Sequence, residues 1–513
     1  YPNQTLAAHV VGFSNADGIG QAGIEQSQND ILYGAIIKKT QERDRLGRVY
    51  DETVFEKEPP KDVVLTLDNG IQYVAEQALE KAAVSSGAKA GMAIVIDNET
   101  GAILALANYP TFDPNILKGI TADNLKNSAI QNIYSPGSVF KLITYGSALE
   151  RKLITPESLI DSGSGTIEVA GHRFTDGHPV GKVSYSKAMA ASSNVCAIKT
   201  SLKVGKEGFY DTVTKMGFGR RTGIELPAET GGIVRRPERW NGDSLASMSI
   251  GYEIGVSALQ MATAFATIAN DGVRIQPHII KEILQPNGEV VSVAQPEKTQ
   301  VVSAETASDL RKMLREVVLT GTGKRAQLNG YSSAGKTGTA WKFDEKLKRV
   351  NAAKYVSSFI GFAPADDPKI TIAVVMDEPK VGGRNGGQVS APVFQEIADQ
   401  ILPILEVPRD MGLVAQHDVS DDIPETAANG DAPDSPGDSV MSEIEPAETK
   451  PVPPPVAAAP TKREIMKSKP AESKQPAAET KRKAPAAVKS PAETKPKGQA
   501  RNKLGTGVAK LRT

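Results

Sequence analysis

Residues 134–141 read Tyr-Ser-Pro-Gly-Ser-Val-Phe-Lys, a turn that opens directly into a helix. Pro136 and Gly137 favour the turn, and the mostly apolar run after Ser138 predicts the helix. Ser138 and Lys141 are three residues apart and therefore share one face of that helix. A hydroxyl beside an amine is a nucleophile beside a base, provided that the amine is neutral. The positive end of the helix dipole and a second nearby cation both favour the neutral amine.

Such a pair is not specific by itself. The same Ser-x-x-Lys spacing recurs at Ser86/Lys89, Ser184/Lys187 and Ser333/Lys336. A single match is more often a solvated helix face or a loop than a site. The pair at Ser138 is distinguished by the motifs that follow it, Ser192-Ser193-Asn194 and then Lys336-Thr337-Gly338-Thr339. Lys-Thr-Gly occurs once in the chain, and these motifs in this order are typical of penicillin-recognising serine acyltransferases.

On these motifs the chain resembles the class B penicillin-binding proteins, and most of all their division-type members. Two other segments carry the resemblance, residues 7–26 with AHVVG and GIE, and residues 248–261, which read MSIGYEIGVSALQM. The second segment departs from the usual form of the family at Glu253 and at Ser257-Ala258. The resemblance covers about residues 1–405. It implies an α+β fold in which a penicillin-binding/β-lactamase-like transpeptidase domain has a five-stranded antiparallel sheet, helices on both faces and a helical lobe.

Three regions are predicted along the chain. They are the C-terminal part of a non-catalytic pedestal (dimerisation-type) domain at residues 1–62, the transpeptidase domain at 63–406 and a low-complexity, disordered tail at 407–513. The tail has too little apolar surface to offset the entropy of ordering. It has ten Asp or Glu against one Lys over residues 414–450, and fifteen Lys or Arg against four Glu over 451–513. We expect a solvated linker, with contact to anionic cell-wall polymer or the membrane surface as the alternative.

Apolar periodicity predicts the elements of the first two regions. A helix follows Asp68, which can cap it. Residues 141–270 have a mainly helical pattern. The other predicted elements are strands at 7–13, 63–67, 92–96, 103–106, 334–341, 356–362 and 370–376 and helices at 304–318 and 391–405.

The resemblance implies a role for each motif residue. Ser138 is the acylated nucleophile, and Lys141 accepts its proton. Ser192 relays a proton toward the leaving group, and Asn194 hydrogen-bonds the substrate amide. Lys336 holds Ser192 and helps to keep Lys141 neutral. Thr337 and Thr339 bind the terminal carboxylate, Gly338 lets the substrate backbone approach, and the N–H groups of Ser138 and Thr339 form the oxyanion hole.

Composition sets limits on the partners and the compartment. The 60 basic and 60 acidic residues balance, so no nucleic-acid partner is expected. Cys196 is the only cysteine, which excludes an intramolecular disulfide. The chain has no apolar run long enough for a membrane helix and does not begin with Met, so we expect an N-terminal anchor upstream and a catalytic domain outside the cytoplasm of a bacterial cell.

The resemblance further implies the substrate and the partners. They are peptidoglycan stem peptides ending in D-Ala-D-Ala, β-lactams, a membrane glycan polymerase and division proteins, with no metal or cofactor. The expected reaction is therefore the crosslinking of stem peptides during septal wall synthesis.

Other functions share these motifs. A β-lactamase or a D,D-carboxypeptidase uses the same set, and a non-catalytic divisome scaffold or β-lactam sensor could retain it. The pedestal-like start and the long tail favour the transpeptidase. A metal site at His172, Asp176 and His178 and a thiol nucleophile at Cys196 are both disfavoured, the first by its spacing and the second because no histidine lies near it in sequence.

Overall fold

The computed structural model describes residues 1–344 and 349–412. Its strands are β1 (Ile36–Arg43), β2 (Val49–Lys57), β3 (Asp62–Leu65), β4 (Ala90–Asp97), β5 (Ile103–Tyr109), β6 (Leu159–Asp161), β7 (Thr166–Val169), β8 (His172–Thr175), β9 (Lys182–Ser184), β10 (Val273–Ile275), β11 (Ile280–Leu284), β12 (Val290–Val293), β13 (Lys298–Gln300), β14 (Ala334–Asp344), β15 (Arg349–Ala363) and β16 (Ile370–Asp377).

The α-helices are interspersed among these strands along the chain. They are α1 (Ala8–Val11), α2 (Gly23–Ser27), α3 (Asn69–Ser86), α4 (Ala122–Leu125), α5 (Ser128–Gln131), α6 (Lys141–Glu150), α7 (Tyr185–Ala190), α8 (Asn194–Val204), α9 (Lys206–Lys215), α10 (Ser244–Ser249), α11 (Ala258–Ala269), α12 (Ala304–Leu319), α13 (Gly386–Val389) and α14 (Ala391–Ile404).

A five-stranded antiparallel sheet forms the centre of the fold. Its strand order is β14-β15-β16-β4-β5, so β14 lies at one edge. The hairpin predicted from residues 92–106 is β4 and β5, and the helix predicted after Asp68 is α3. Asp68 Oδ1 accepts a hydrogen bond from Ile71 N at 2.9 Å, which is the expected cap. The α+β fold with this sheet is confirmed.

Both faces of the central sheet are buried. On β4, Ala93 and Val95 pack into one apolar core with α3 and α14, whereas Ile94 and Ile96 pack into the other core with α6, α11 and α12. Successive strand residues point to opposite faces, so a strand covered on both sides becomes a continuous apolar run. The helices predicted on both faces of the sheet are therefore present, and they cover the apolar residues of β4.

The part of the chain that runs from α6 to α11 forms a lobe made mainly of helices. It contains two small sheets that the helical pattern did not predict, one formed by β6 and β9 and the other by β7 and β8. Two residues of the second sheet region, Thr175 and Asp176, contact the turn that begins α8. The small sheets therefore support the helix that carries Asn194.

The strand predicted at residues 7–13 is wrong, because this segment forms the short helix α1. Ala7 and Gly12 bracket the helix with positive φ angles of 55° and 78°. Long-range contacts fix this conformation: Ala7 N donates to Glu76 Oε1 of α3 at 2.8 Å, and the ring of His9 packs edge-on against Phe112. Tertiary packing thus overrides the β preference of the two valines.

The strand predicted at residues 63–67 is β3, which pairs with β11 outside the central sheet. The three domain boundaries stay predictions, and residues 413–513 of the predicted tail lie outside the described residues. Among the helices of the described part, none combines the length and the apolar character needed to span a bilayer.

His9 provides a test of how the N-terminal segment packs. Its Nε2 lies 2.8 Å from Asn124 O, and burial lowers the pKa of the ring from 6.5 to about 4. The folded protein therefore binds fewer protons than the unfolded chain between these pH values, so stability falls as the pH decreases from 6.5 to 4. His9→Gln keeps an N–H donor but cannot titrate, and it should remove on the order of 3 kcal/mol of this pH dependence. Urea unfolding between pH 4 and 8 measures it.

The control for this experiment is Ile24→Val, a change in a buried residue of the same segment. Ile24 does not titrate, so this variant should lose about 1 kcal/mol at every pH. Equal pH slopes for the wild type and His9→Gln would contradict the prediction.

Candidate active site

Ser138 lies in a 3₁₀ turn, Gly137–Phe140, that leads into α6. Gly137 has a φ of 57°, a conformation that glycine adopts without strain. The predicted turn and helix are therefore present, although the first turn is tighter than an α-helix. Ser138 Oγ lies 2.7 Å from Lys141 Nζ and 2.9 Å from Ser192 Oγ. The predicted nucleophile is thus in hydrogen-bond contact with two groups able to move its proton.

Lys141 is fully buried at the start of α6. Besides Ser138 Oγ, its Nζ contacts Ser192 O at 2.6 Å, Ser192 Oγ at 3.2 Å and Asn194 Oδ1 at 2.6 Å. The amine is therefore held at a fixed point between the nucleophile and the Ser-x-Asn motif.

The Ser-x-Asn motif forms the turn between α7 and α8. Ser192 has a φ of 58°, in the left-handed region that residues with a side chain rarely adopt. This conformation directs both its carbonyl oxygen and its hydroxyl at Lys141. Asn194 Oδ1 faces the same amine, and Asn194 Nδ2 donates to Thr175 O at 3.0 Å. The side chains of this motif thus converge on the base.

Lys336 reaches the same place from the edge strand β14. It is fully buried, and its Nζ lies 2.9 Å from Ser192 Oγ and 3.1 Å from Thr337 O. Ser192 Oγ therefore contacts the nucleophile and both lysines. The structure brings together the five predicted catalytic residues, Ser138, Lys141, Ser192, Asn194 and Lys336, which come from three separate parts of the chain.

The remaining predicted residues follow Lys336 on β14. A Cβ at Gly338 would lie 3.0 Å from Pro136 O and 2.5 Å from Ser358 Oγ, so only glycine fits between the nucleophile turn and β15. Thr337 Oγ1 contacts Thr322 Oγ1 at 2.6 Å, and Thr339 Oγ1 accepts from Gly386 N at 3.0 Å. The structure places both threonines beside the site, and their role toward a carboxylate stays a prediction.

Asp176 supports the turn of the Ser-x-Asn motif and was missed by the sequence motifs. Its Oδ1 accepts from Val195 N at 2.9 Å and its Oδ2 accepts from Ser193 Oγ at 2.8 Å, so it clamps the turn on both sides of Asn194. The sequence drew attention to Asp176 only through its neighbouring histidines. The polar turn before α8 was the signal available, since a helix N-terminus favours a carboxylate.

Thr322 was missed as well. It lies in the turn after α12, where a Cβ at Gly321 would come within 2.3 Å of Ala190 O at the end of α7. Thr322 N donates to the same oxygen at 3.2 Å. Thr322 thus links the helix before Ser192 to Thr337, and the glycines on either side were the only signal of this close packing.

Cys196 is not suited to nucleophilic chemistry. The side chain is fully buried in α8, and burial raises the pKa of the thiol above its usual value. A reactive cysteine needs an accessible thiolate, which requires the opposite shift. In the part of the chain that the structure describes, no three His, Cys, Asp or Glu side chains form a group able to hold a metal ion.

The arrangement is suited to acyl transfer by a serine. A buried amine lies within hydrogen-bond distance of the hydroxyl, which is the geometry of a nucleophile with its general base. A second hydroxyl connects that pair to a second amine, which gives the proton a path from one side of the site to the other. The edge strand β14, which carries Lys336, borders this group of side chains.

Comparison with known proteins agrees with this geometry. The family described as "Penicillin binding protein transpeptidase domain" matches residues 91–399. The penicillin-binding protein PbpB of Mycolicibacterium smegmatis is 37% identical over 80% of this chain and 65% of its own length. The probable peptidoglycan D,D-transpeptidase PenA of Neisseria gonorrhoeae is 35% identical over 79% of this chain and 68% of its own. The peptidoglycan D,D-transpeptidase FtsI of Escherichia coli is 31% identical over 80% and 68%.

Solved structures show the same fold. Penicillin-binding protein 3 from Mycobacterium tuberculosis, complexed with aztreonam, matches with a TM-score of 0.73 and 35% identity, over 81% of this chain and 92% of that one. The chain spans less than two thirds of the length of the two mycobacterial PbpB proteins, 65% and 62%. On the family match and these relatives, the chain belongs to the penicillin-binding protein transpeptidase family, in its class B, division-type branch.

Proposed function

We propose that this protein is a penicillin-sensitive D,D-transpeptidase that crosslinks peptidoglycan stem peptides through an acyl-enzyme on Ser138. The observation that carries the proposal is the contact of Ser192 Oγ with Ser138 Oγ, Lys141 Nζ and Lys336 Nζ at 2.9, 3.2 and 2.9 Å. This arrangement gives the nucleophile a base and gives the leaving group a source of protons. The relatives PenA and FtsI, named as peptidoglycan D,D-transpeptidases, support the same reaction.

Acylation begins when Ser138 Oγ attacks the carbonyl carbon of the D-Ala-D-Ala amide. The hydroxyl proton passes to neutral Lys141 Nζ. As the C–N bond breaks, a proton passes through Ser192 Oγ to the leaving nitrogen, so D-Ala departs as an amine and an ester to Ser138 remains. General acid–base assistance of this kind contributes roughly 10²–10⁴ in rate.

Deacylation reverses the roles of the same groups. The amine of a neighbouring stem peptide attacks the ester carbon and loses a proton to the site. The C–O bond to Ser138 breaks, and the serine oxygen regains its proton. The product is a crosslink with one new amide bond. A β-lactam is opened by the first step, and its leaving nitrogen stays tethered, so the ester is long-lived.

The substrate is held by groups around this network. We infer that Asn194 Nδ2 binds the substrate amide with its second proton and that Thr337 and Thr339 bind the terminal carboxylate. The edge position of β14 lets an extended peptide lie along the strand, whereas the missing side chain of Gly338 leaves room for Pro136 and Ser358. The N–H groups of Ser138 and Thr339 are the proposed oxyanion hole, where one donor is worth on the order of 10²–10³ in rate.

The proposed setting is septal wall synthesis at the bacterial cytoplasmic membrane. In this proposal the protein is anchored there and its catalytic domain faces outward. A separate membrane polymerase supplies the glycan, and division proteins localise the pair. No metal or cofactor enters the proposed chemistry.

Ser138→Ala should abolish covalent labelling by a fluorescent penicillin, because the ester then has no oxygen to form on. The labelled band is read on a denaturing gel beside the wild type. Ser184→Ala is the matched control, since Ser184 and Lys187 have the same spacing but Ser184 Oγ only caps α7. It should label at the wild-type rate while losing about 1 kcal/mol of stability. Labelling of Ser138→Ala would refute the assignment of the nucleophile.

The lifetime of the label distinguishes the related functions. A transpeptidase should retain the label for many minutes after free penicillin is removed, whereas a β-lactamase releases it quickly. If folded wild-type protein takes up no label, the enzymatic function is refuted and the non-catalytic scaffold is the remaining alternative.

Asp176→Ala should lower the rate of acylation by about 10- to 100-fold, because the turn that carries Ser192 and Asn194 loses its clamp. The matched control is Asp68→Ala, which removes a carboxylate cap from α3 by the same chemistry. Both variants should lose about 1 kcal/mol of stability, and only the first should acylate slowly. Stopped-flow acylation and urea unfolding measure the two effects. Similar acylation rates in the two variants would contradict this role of Asp176.

A further inference from the structure

Residues 251–256, which we name the bracing segment, lie between the nucleophile turn and the edge strand. Gly137 N donates to Gly251 O at 3.2 Å, and Tyr134 and Val256 exchange both of their backbone hydrogen bonds at 3.0 Å. Trp341 N of β14 donates to Tyr252 Oη at 3.1 Å. The bracing segment therefore contacts the chain around Ser138 through its first and last residues, Gly251 and Val256. It contacts the strand that carries Lys336 through Tyr252.

Glu253 lies in the bracing segment with an unfavourable backbone conformation. Its φ is 54°, in the left-handed region that favours glycine. The carboxylate is turned inward, and only 9% of the side chain is exposed. Glu253 Oε2 accepts from Ser244 Oγ at 2.8 Å and from Arg235 Nη2. The chain therefore keeps a carboxylate here at a cost in backbone strain.

Arg235 belongs to a loop that is itself fixed in place. Its carbonyl oxygen accepts from Trp240 Nε1 at 2.9 Å, and nearby Ile233 exchanges two backbone hydrogen bonds with Gly255 at 2.7 and 2.9 Å. The ion pair with Glu253 thus joins the bracing segment to this loop a second time. Because the pair is largely buried, removal of one partner leaves an uncompensated charge next to the segment.

We propose that Glu253 and Arg235 are positioning residues that hold the bracing segment, and through it the Ser138 turn, in the geometry needed for acylation. This inference rests on the proposed function. The ion pair contacts neither Ser138 nor either catalytic lysine in the contacts described above, so it acts through Gly251, Tyr252 and Val256. A shift of about 1 Å in a reacting group costs on the order of 10²-fold in rate, so a backbone support of this kind affects the chemistry.

Glu253→Gly removes the carboxylate without adding backbone strain, because glycine adopts the same φ freely. Its effect therefore reports on the carboxylate. The chain offers a matched control, Asp271→Gly. Asp271 also has a positive φ, 47°, and its Oδ1 also accepts from an arginine, Arg311 Nη1, at 2.7 Å. That pair joins the turn after α11 to α12. Both variants remove a carboxylate that pairs with an arginine at a position with positive φ, although the Asp271 side chain is 65% exposed and that of Glu253 only 9%.

Stopped-flow acylation by a fluorescent penicillin, at a series of concentrations, gives the acylation rate constant and the dissociation constant of the initial complex. Glu253→Gly and Arg235→Gln should each lower the rate constant by about 10- to 100-fold, with a smaller change in the dissociation constant. Arg235→Lys keeps the charge and should retain an intermediate rate. Asp271→Gly should acylate like the wild type. The double variant Glu253→Gly/Arg235→Gln should be no slower than its slower parent, because the two residues act as one unit.

Urea unfolding of every variant separates positioning from stability. Wild-type rate constants in both Glu253→Gly and Arg235→Gln would overturn the inference, and so would a loss of rate that Asp271→Gly shares at the same unfolding midpoint. If the Glu253 variant does not fold, the Arg235 variants decide the matter. Absence of labelling in the wild type would instead refute the proposed function, and this inference with it.

Discussion

Two buried lysines meeting at one hydroxyl are the constraint on which the rest of the structure depends. Lys141 and Lys336 are both fully removed from solvent, and both contact Ser192 Oγ. Removing an ammonium group from water costs several kcal/mol unless hydrogen bonds replace the lost hydration. The carbonyl oxygens of Ser192 and Thr337 and the Asn194 side chain provide these bonds. The same hydrogen bonds hold the Lys141 amine beside Ser138 Oγ, so the costly arrangement is also the one that places an amine next to the nucleophile.

That arrangement explains the architecture around it. The three motifs come from a helix start, a turn between two helices and the edge of a sheet, so three independent elements must be held to within a fraction of an ångström. A sheet buried on both faces fixes β14, because β15 and β16 pack into both cores. α12 packs against both β14 and α7, and the Thr322 turn that follows it contacts Thr337 and Ala190. The helical lobe and the sheet are therefore joined where the catalytic groups meet.

Local patterns predicted the elements whose structure is determined locally. The hairpin of β4 and β5 follows from alternating apolar residues and a turn, and α3 follows from its period and the Asp68 cap. The five proposed catalytic residues were predicted from three motifs in a characteristic order, since the Ser-x-x-Lys spacing alone recurs elsewhere in the chain. Residues 7–13 were mispredicted because distant partners, Glu76 and Phe112, decide their conformation. The local signals at Asp176, Thr322 and Glu253 were too weak to assign a role, since each of these residues contacts partners far away in sequence or in a neighbouring loop.

Two residues with an unfavourable backbone conformation lie at this site or in the segment that supports it. Ser192 and Glu253 both adopt a left-handed conformation without being glycine. Each such residue costs roughly 1–3 kcal/mol and persists only where surrounding contacts over-determine it. Lys141, Ala188 and Met189 hold the backbone around Ser192, and Arg235 and Ser244 hold Glu253. In both cases glycine would remove the strain, but it would also remove the hydroxyl that joins the two lysines or the carboxylate that anchors the bracing segment. The fold thus accepts local instability at the positions where a specific side chain must face the reacting groups or their support.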